Sequence, residues 1–443
     1  MRARCARSRL LPFVFALAVL AVPAPAAASD MVTQWNLHAT NALIRDGGQG
    51  AAATVHLAMV HGAVYDAVNA IDRRHAPYLG PLWAKRSFSQ DAAAATAAYV
   101  VLTRSNPGLV DPANPGALEP SLRPLYEQSL DAIPDGPAKW GGVAVGAAAA
   151  WRMILVRRQD GRFGAFRFTP AIGIGKWRPI PPSTVNDPFA WLKDVRPFMI
   201  RSSTRFGSPP PLPLASRRYA KEFEEVKTLG AANSAVRTQG QTDAARFWGV
   251  GNAVGTWAML LRTIADQHPM TTAESARYYA MLNMTAADSL ITTWESKAKF
   301  SSWRPYHAIR EAGGDGNDAT APDPNWTSLT ASPPYTEHPS GLSALGASYA
   351  TTLRQFFRTD DVMFSGMNAT AIVTRTYARF SQAMEEIVDA RVWSGIHFRF
   401  ADEEGARIGQ RVARWRAERG FFRRAHHDHG RRAHHGHGGG RGH

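Results

Sequence analysis

The sequence predicts an all-α protein. Apolar residues recur at helical spacing over most of the chain, and strict apolar–polar alternation is rare. Pro-rich stretches separate the periodic segments, and no internal repeat is evident. In chain order, helices are predicted at Ala51–Ile71, Gln90–Thr103, Gly141–Arg157, Ser216–Leu229, Gly251–His268, Thr272–Lys299, Ser340–Phe357, Ala371–Trp393 and Asp402–Glu418. Two long connections, Trp177–Leu214 and Asp315–Pro339, are expected to rim a binding site. The first reads equally well as a packed, irregular crossover.

The two ends stand apart from the fold. Arg2, Arg4, Arg7 and Arg9 precede an apolar run, Leu10 to Val22, and the small residues Ala26 to Ala28 follow. This pattern reads as a secretory signal peptide over residues 1–28, hence a secreted or periplasmic protein. No later apolar run is long enough to span a membrane. The only cysteine, Cys5, lies in that leader, which excludes disulfides, thiolate metal sites and cysteine nucleophiles from the mature chain. Residues 421–443 hold seven of the fifteen histidines among Gly and Arg, and are expected to be a disordered tail. The folded part, residues 29–420, has enough length for one large domain or two ordinary ones. Without the arginine-rich ends, the formal net charge of +15 falls to about +7. A mildly basic body suits an anionic ligand. There is no zinc-finger spacing, Walker loop or aromatic–basic RNA motif, so nucleic acid is not an expected partner.

Three clusters break the helical pattern. Tyr279, Leu282, Ala286, Leu290 and Trp294 form an inward stripe, and Lys297 is its next member. A lysine there either reaches solvent or meets an anion, because burying its charge alone is costly. Arg304 follows, and Pro305 disfavours helix at Arg304, so an extended turn aims the guanidinium back at the helix end. Tyr377, Phe380, Met384 and Ile387 form a second stripe that continues to Arg391. A guanidinium at a core position wants a bidentate oxyanion, or else a salt bridge to Glu385, Glu386 or Asp389. Ser394-Gly395 then breaks the helix and delivers His397. Between the two lies Thr336-Glu337-His338-Pro339-Ser340-Gly341, a loop ending in a helix entry. Such an entry presents amide N–H groups and a positive dipole to an anion. Read alone, it is a helix cap.

The order Lys-x6-Arg-Pro, Pro-Ser-Gly, Arg-x5-His resembles the vanadium-dependent haloperoxidases and the acid phosphatases of the type-2 phosphatidic acid phosphatase superfamily. Gln34-Trp35-Asn36, Tyr65 to Asp72, Ala245 to Trp248 and Gly395 to Phe400 extend the resemblance to bacterial secreted haloperoxidase-type proteins over nearly all of the chain except the tail. The resemblance implies a helical fold of two four-helix-bundle-like halves. It implies vanadate as cofactor, with phosphate as a competing oxyanion. Lys297, Arg304, Ser340, Gly341 and Arg391 match the residues that hold its oxygens, and His397 matches the metal ligand. Hydrogen peroxide and halide are the implied substrates, with a possible small organic acceptor.

The chain departs from that family at Leu342, where the family carries a general acid–base histidine. Such a group is worth about 10² to 10⁴ in rate. His338 is a candidate substitute, since an unperturbed imidazole titrates near neutrality, and His307 is a second. Ala401 stands where some members carry an aspartate that orients the imidazole, Asp402 is one residue late, and Ala390 replaces a frequent serine. Three readings stay open: a vanadate-dependent haloperoxidase weakened by Leu342, a non-catalytic oxyanion-binding protein, and a phosphomonoesterase.

Overall fold

The computed structural model describes residues 30–368 and 370–419. The leader at 1–28, Cys5 and the tail at 421–443 lie outside the described residues. The architecture is helical apart from one hairpin. The first half contains α1 (Met31–Thr40), α2 (Ala53–Asp72), α3 (Gln90–Arg104), α4 (Glu119–Asp131), α5 (Pro137–Val156), α6 (Arg217–Leu229), α7 (Gln239–Gly249) and α8 (Ala253–Gln267). The second contains α9 (Thr272–Phe300), α10 (Pro305–Arg310), α11 (Gly341–Phe357), β1 (Phe364–Asn368), β2 (Val373–Tyr377), α12 (Phe380–Trp393) and α13 (Arg399–Arg419). None of the described helices is long and apolar enough to cross a membrane.

Helix α9 organises the molecule. A capping box, Thr271 with Glu274, starts it, and Ser301 in the left-handed region ends it. It is buried on nearly all sides, which is why its pattern is apolar or small around the whole circumference. On one side α2 and α3 pack against it with α5 behind them, and on the other α11 and α13 pack against it with α12 against α11. Gly405 lets α13 approach α11 closely, since a Cβ there would meet the Ser340 carbonyl oxygen at 2.2 Å.

The segment predicted as one helix, Ala371–Trp393, divides. Residues Val373–Tyr377 are a strand paired antiparallel with Phe364–Asn368, and the helix begins only at Phe380. Alternation over five residues is too short to stand out beside the helical stripe that follows. Helices α1, α4, α7 and the short α10 were not predicted. Pro120 and Pro124 within α4 disguise that one.

The first long connection is a packed crossover as well as a rim. The backbone N–H groups of Phe198, Met199 and Ile200 all donate to the buried Asp288 carboxylate on α9. Asp187 N donates to Pro334 O at 2.9 Å, joining this loop to the second one.

Candidate oxyanion site

Four chain segments converge at the C-terminal end of α9. Lys297 lies in its last turn and is fully buried. Its ammonium donates to the carbonyls of Thr336 at 2.8 Å and Glu337 at 2.9 Å. Arg304 is extended, as Pro305 dictates, and caps α10. Its Nε donates to Tyr335 O and its Nη1 to Ile396 O, both at 2.9 Å. Nη1 also stands 3.0 Å from His397 Nε2.

His397 follows Gly395, whose φ of +76° makes the turn out of α12. Its Nδ1 lies 3.0 Å from Glu337 Oε1. Because a guanidinium can only donate, Nε2 accepts from Arg304 and the ring proton sits on Nδ1, facing the carboxylate. The Nε2 lone pair therefore points toward the cations. Glu337 thus takes the orienting role of the aspartate that some family members carry where this chain has Ala401. It lies in a loop, and no spacing marks it as His397's neighbour.

Ser340 caps α11, accepting from Ser343 N, and Asp402 accepts from Ser343 Oγ at 2.8 Å. Asp402 is fully buried between α13 and α11. A Cβ on Gly341 would meet the Trp294 ring at 2.9 Å, so only glycine fits against that wall. Arg391 completes the set from α12. Its Nη1 donates to Trp248 O at 3.3 Å. None of the three neighbouring acids pairs with it: Glu386 binds Arg375 and Tyr377, Asp389 binds Arg399, and Glu385 is exposed.

Gly341, Leu342 and Arg391 line a cavity of about 350 Å³ walled by Trp294, Tyr335 and Phe189. Asp187 also lines it, with Oδ2 accepting from Trp294 Nε1 at 2.9 Å and Oδ1 from Phe189 N at 2.9 Å. This carboxylate lies in a Pro-rich loop without periodicity, where no pattern marks it. His338 is buried beneath the site rather than in this lining. Its Nε2 is within hydrogen-bond reach of Ser208 Oγ at 2.8 Å and Pro209 O at 2.9 Å, and its ring lies between Phe300 and Phe400. Only its Nδ1 is left without a partner. His307 packs on Tyr306 near Arg178 and Glu311, apart from the cluster.

The electrostatics are those of a cationic site without its counter-charge. Burial, then Arg304, holds Lys297 well below the usual lysine range. Burial likewise lowers Arg391, and brings Arg304 down to about 10. Burial and the neighbouring cations hold His397 well below the usual imidazole range, so it is neutral. Burial pushes Glu337 up to about 8 against the pull of Arg304 and Lys297. It pushes Asp402 up to about 7 and also raises Asp187. Arg304 Nη2 and Arg391 Nε are buried with no hydrogen-bond partner. Unpaired buried guanidinium donors are costly, and an oxyanion satisfies them. The donor set fits vanadate or phosphate: three cations, a helix entry, two guanidinium nitrogens without partners and an imidazole Nε2 that carries no proton.

Residues 277–422 match the family model for the VCPO second helical-bundle domain. Vanadium chloroperoxidase of Curvularia inaequalis is 25% identical over 215 residues, covering 40% of this chain and 35% of that protein. That match spans about a third of the relative's length. A solved bacterial vanadium-dependent iodoperoxidase is similar with a TM-score of 0.72 at 21% identity, covering 88% of this chain and 95% of that one. The holo form of a bacterial vanadium-dependent chloroperoxidase is similar with a TM-score of 0.68 at 15% identity, covering 90% and 98%. The chain has the vanadium haloperoxidase fold, and residues 277–422 are similar to the VCPO second helical-bundle domain.

Proposed function

We propose that this protein binds vanadate and oxidises a halide with hydrogen peroxide. The observation that carries the reading is the convergence of buried Lys297, Arg304 and Arg391, with two guanidinium nitrogens lacking partners, around a neutral imidazole held by Glu337.

Lys297, Arg304 and Arg391 would hold the anion's oxygens by charge and hydrogen bonding, with the Ser340 hydroxyl and the Gly341 amide at the mouth of α11. His397 Nε2 would bond the metal in place of its contact with Arg304 Nη1, and Glu337 fixes the tautomer that keeps the proton off this nitrogen. When bound, vanadate supplies Lewis-acid activation of hydrogen peroxide toward attack by halide. The fixed cations around it cost no reorganisation during the reaction, because the fold has already oriented them. Phosphate competes for the same donors through its similar charge and shape. The aromatic wall of the cavity accommodates a small organic acceptor.

Proton transfer is the weak point of the arrangement. Leu342 lines the cavity and has no proton to exchange. His338 offers only Nδ1, and burial pushes it down to about 4, which makes it a poor base near neutrality. This supports a second reading, a non-catalytic oxyanion-binding protein with the same cradle. A phosphomonoesterase is disfavoured more strongly, because an alkoxide leaving group depends on a proton donor. Export rests on the basic start and the apolar Leu10 to Val22 run.

The deciding experiment is vanadate-dependent oxidation of bromide and iodide by the purified protein, beside Leu342→His. Activity that requires vanadate in the unmodified protein supports the haloperoxidase reading. Activity in the variant alone supports the oxyanion-binding reading, and silence in both overturns the assigned reaction.

A further inference from the structure

A second cationic cavity lies at the opposite end of α9. It encloses about 810 Å³ and is lined by Arg74, Arg277, Arg358 and Arg416 with Phe356 and Phe357. Arg277 and Lys297 share α9, and at 1.5 Å per residue they stand about 30 Å apart along it. The two cavities are therefore separate sites.

The charge in this cavity is unbalanced. Its lining contains one carboxylate, Glu274, which is already committed to capping α9 through Thr271 N and Oγ1. Arg74 is paired with Asp72 at 2.8 Å. Arg277 stands 5.3 Å over the Phe356 ring. Arg416 is the telling residue. It is only 3% exposed, its Nη2 reaches the neutral amide of Gln355, and its Nε has no partner. No carboxylate pairs with it among the described residues. Burial, and then the charge of Arg277, brings it down to about 9. The C-terminal ends of α11 and α13 approach here, but a helix end carries only about half a charge. A guanidinium buried without an acid costs stability unless an anion from outside completes it.

We propose that this cavity binds a small organic anion, an aryl carboxylate or aryl sulfonate, with its acid group on Arg416 and its ring against Phe356 and Phe357. Four arginines select the acid and two phenylalanines select the aromatic body, so neither half of the ligand suffices alone. Inorganic phosphate or vanadate would meet the charge but leave the apolar wall uncovered, and so would compete poorly with an aryl anion.

The test is a fluorescence titration of the full chain with 8-anilinonaphthalene-1-sulfonate at fixed ionic strength. Saturable binding is expected, undiminished by vanadate. Arg416→Met should weaken it about tenfold or more, the loss of a charge-assisted hydrogen bond. N-phenyl-1-naphthylamine, the same rings without the sulfonate, should not saturate. Equal affinity in Arg416→Met, equal binding of the neutral amine, or displacement by vanadate would each overturn the proposal. Should Arg416→Met not fold, Arg358→Ser alters an exposed side chain of the same lining. It is expected to weaken binding severalfold at an unchanged melting temperature, and unchanged affinity there also overturns the assignment.

Discussion

Glu337 Oε1 lies 3.0 Å from His397 Nδ1 and takes the backbone N–H of Phe398 at the same distance. One carboxylate oxygen thus fixes both the ring and the chain immediately after it. Glu337→Gln keeps the shape and replaces the carboxyl oxygen that accepts the Nδ1 proton. We expect vanadate affinity or halide oxidation to fall by about 10- to 100-fold, with the fold retained. The check is vanadate titration followed by circular dichroism, and unaltered affinity would remove Glu337 from the positioning role.

Glu337 also predicts a pH dependence of stability. Burial raises its carboxyl from 4.5 to about 8. A raised acid favours the folded state fully below the unfolded value, and that contribution is lost as pH rises through about 8. In the absence of an oxyanion, the melting temperature of the unmodified protein relative to Glu337→Gln should therefore decline between about pH 5 and about pH 8. A difference that stays flat across this window would mean that the carboxyl does not titrate there.

Leu342→His restores an imidazole in the cavity lining. Halide oxidation in the presence of vanadate should rise by about 10² to 10⁴, the usual worth of a general acid–base group. Steady-state rates at saturating peroxide measure it directly. A rise confined to the Michaelis constant would point to altered binding and not to proton transfer.

Arg391→Met removes a buried guanidinium whose Nε has no partner. Vanadate at a hundred times its dissociation constant stabilises a binding protein by about 2.7 kcal/mol. The unmodified protein should show that shift in calorimetry and the variant should lose most of it. Without vanadate the variant should melt no lower than the parent, because an uncompensated buried charge is not a stabilising element. Equal vanadate shifts in both would place Arg391 outside the cradle.

Gly341→Ala tests the closeness of the cavity wall. The new methyl group would meet the Trp294 ring at 2.9 Å. Overpacking of this kind costs about 1–3 kcal/mol. We expect a lower melting temperature together with weaker vanadate binding. A variant as stable as the parent would mean that Trp294 moves aside freely.

The cations of the site were legible in the sequence because each interrupts an apolar stripe. Lys297 and Arg391 appear as charged members of buried helix faces, and Arg304 is given away by Pro305. The carboxylates were not. Glu337 and Asp187 lie in irregular segments, where an acid is an ordinary loop residue and no period betrays burial. Their partners, His397 and Trp294, are brought to them only by the packing of α9, α11 and α12. The hairpin was hidden for the opposite reason. Tyr377 continues the spacing of the helix that starts at Phe380, so a helical period runs on into a strand.

Asp288 gives the crossover before α6 an unexpected property. It ties residues 198 to 200 to the middle of α9, while Asp187 N is tied to Pro334 and Ser208 N to Ser296 Oγ. The path between α5 and α6 is thereby divided into short spans with both ends moored. Insertions or deletions within one span would reshape the entrance while leaving the charged cradle undisturbed. Under the proposed function, what enters the cavity and how strongly the anion is held would then be set by different stretches of the chain.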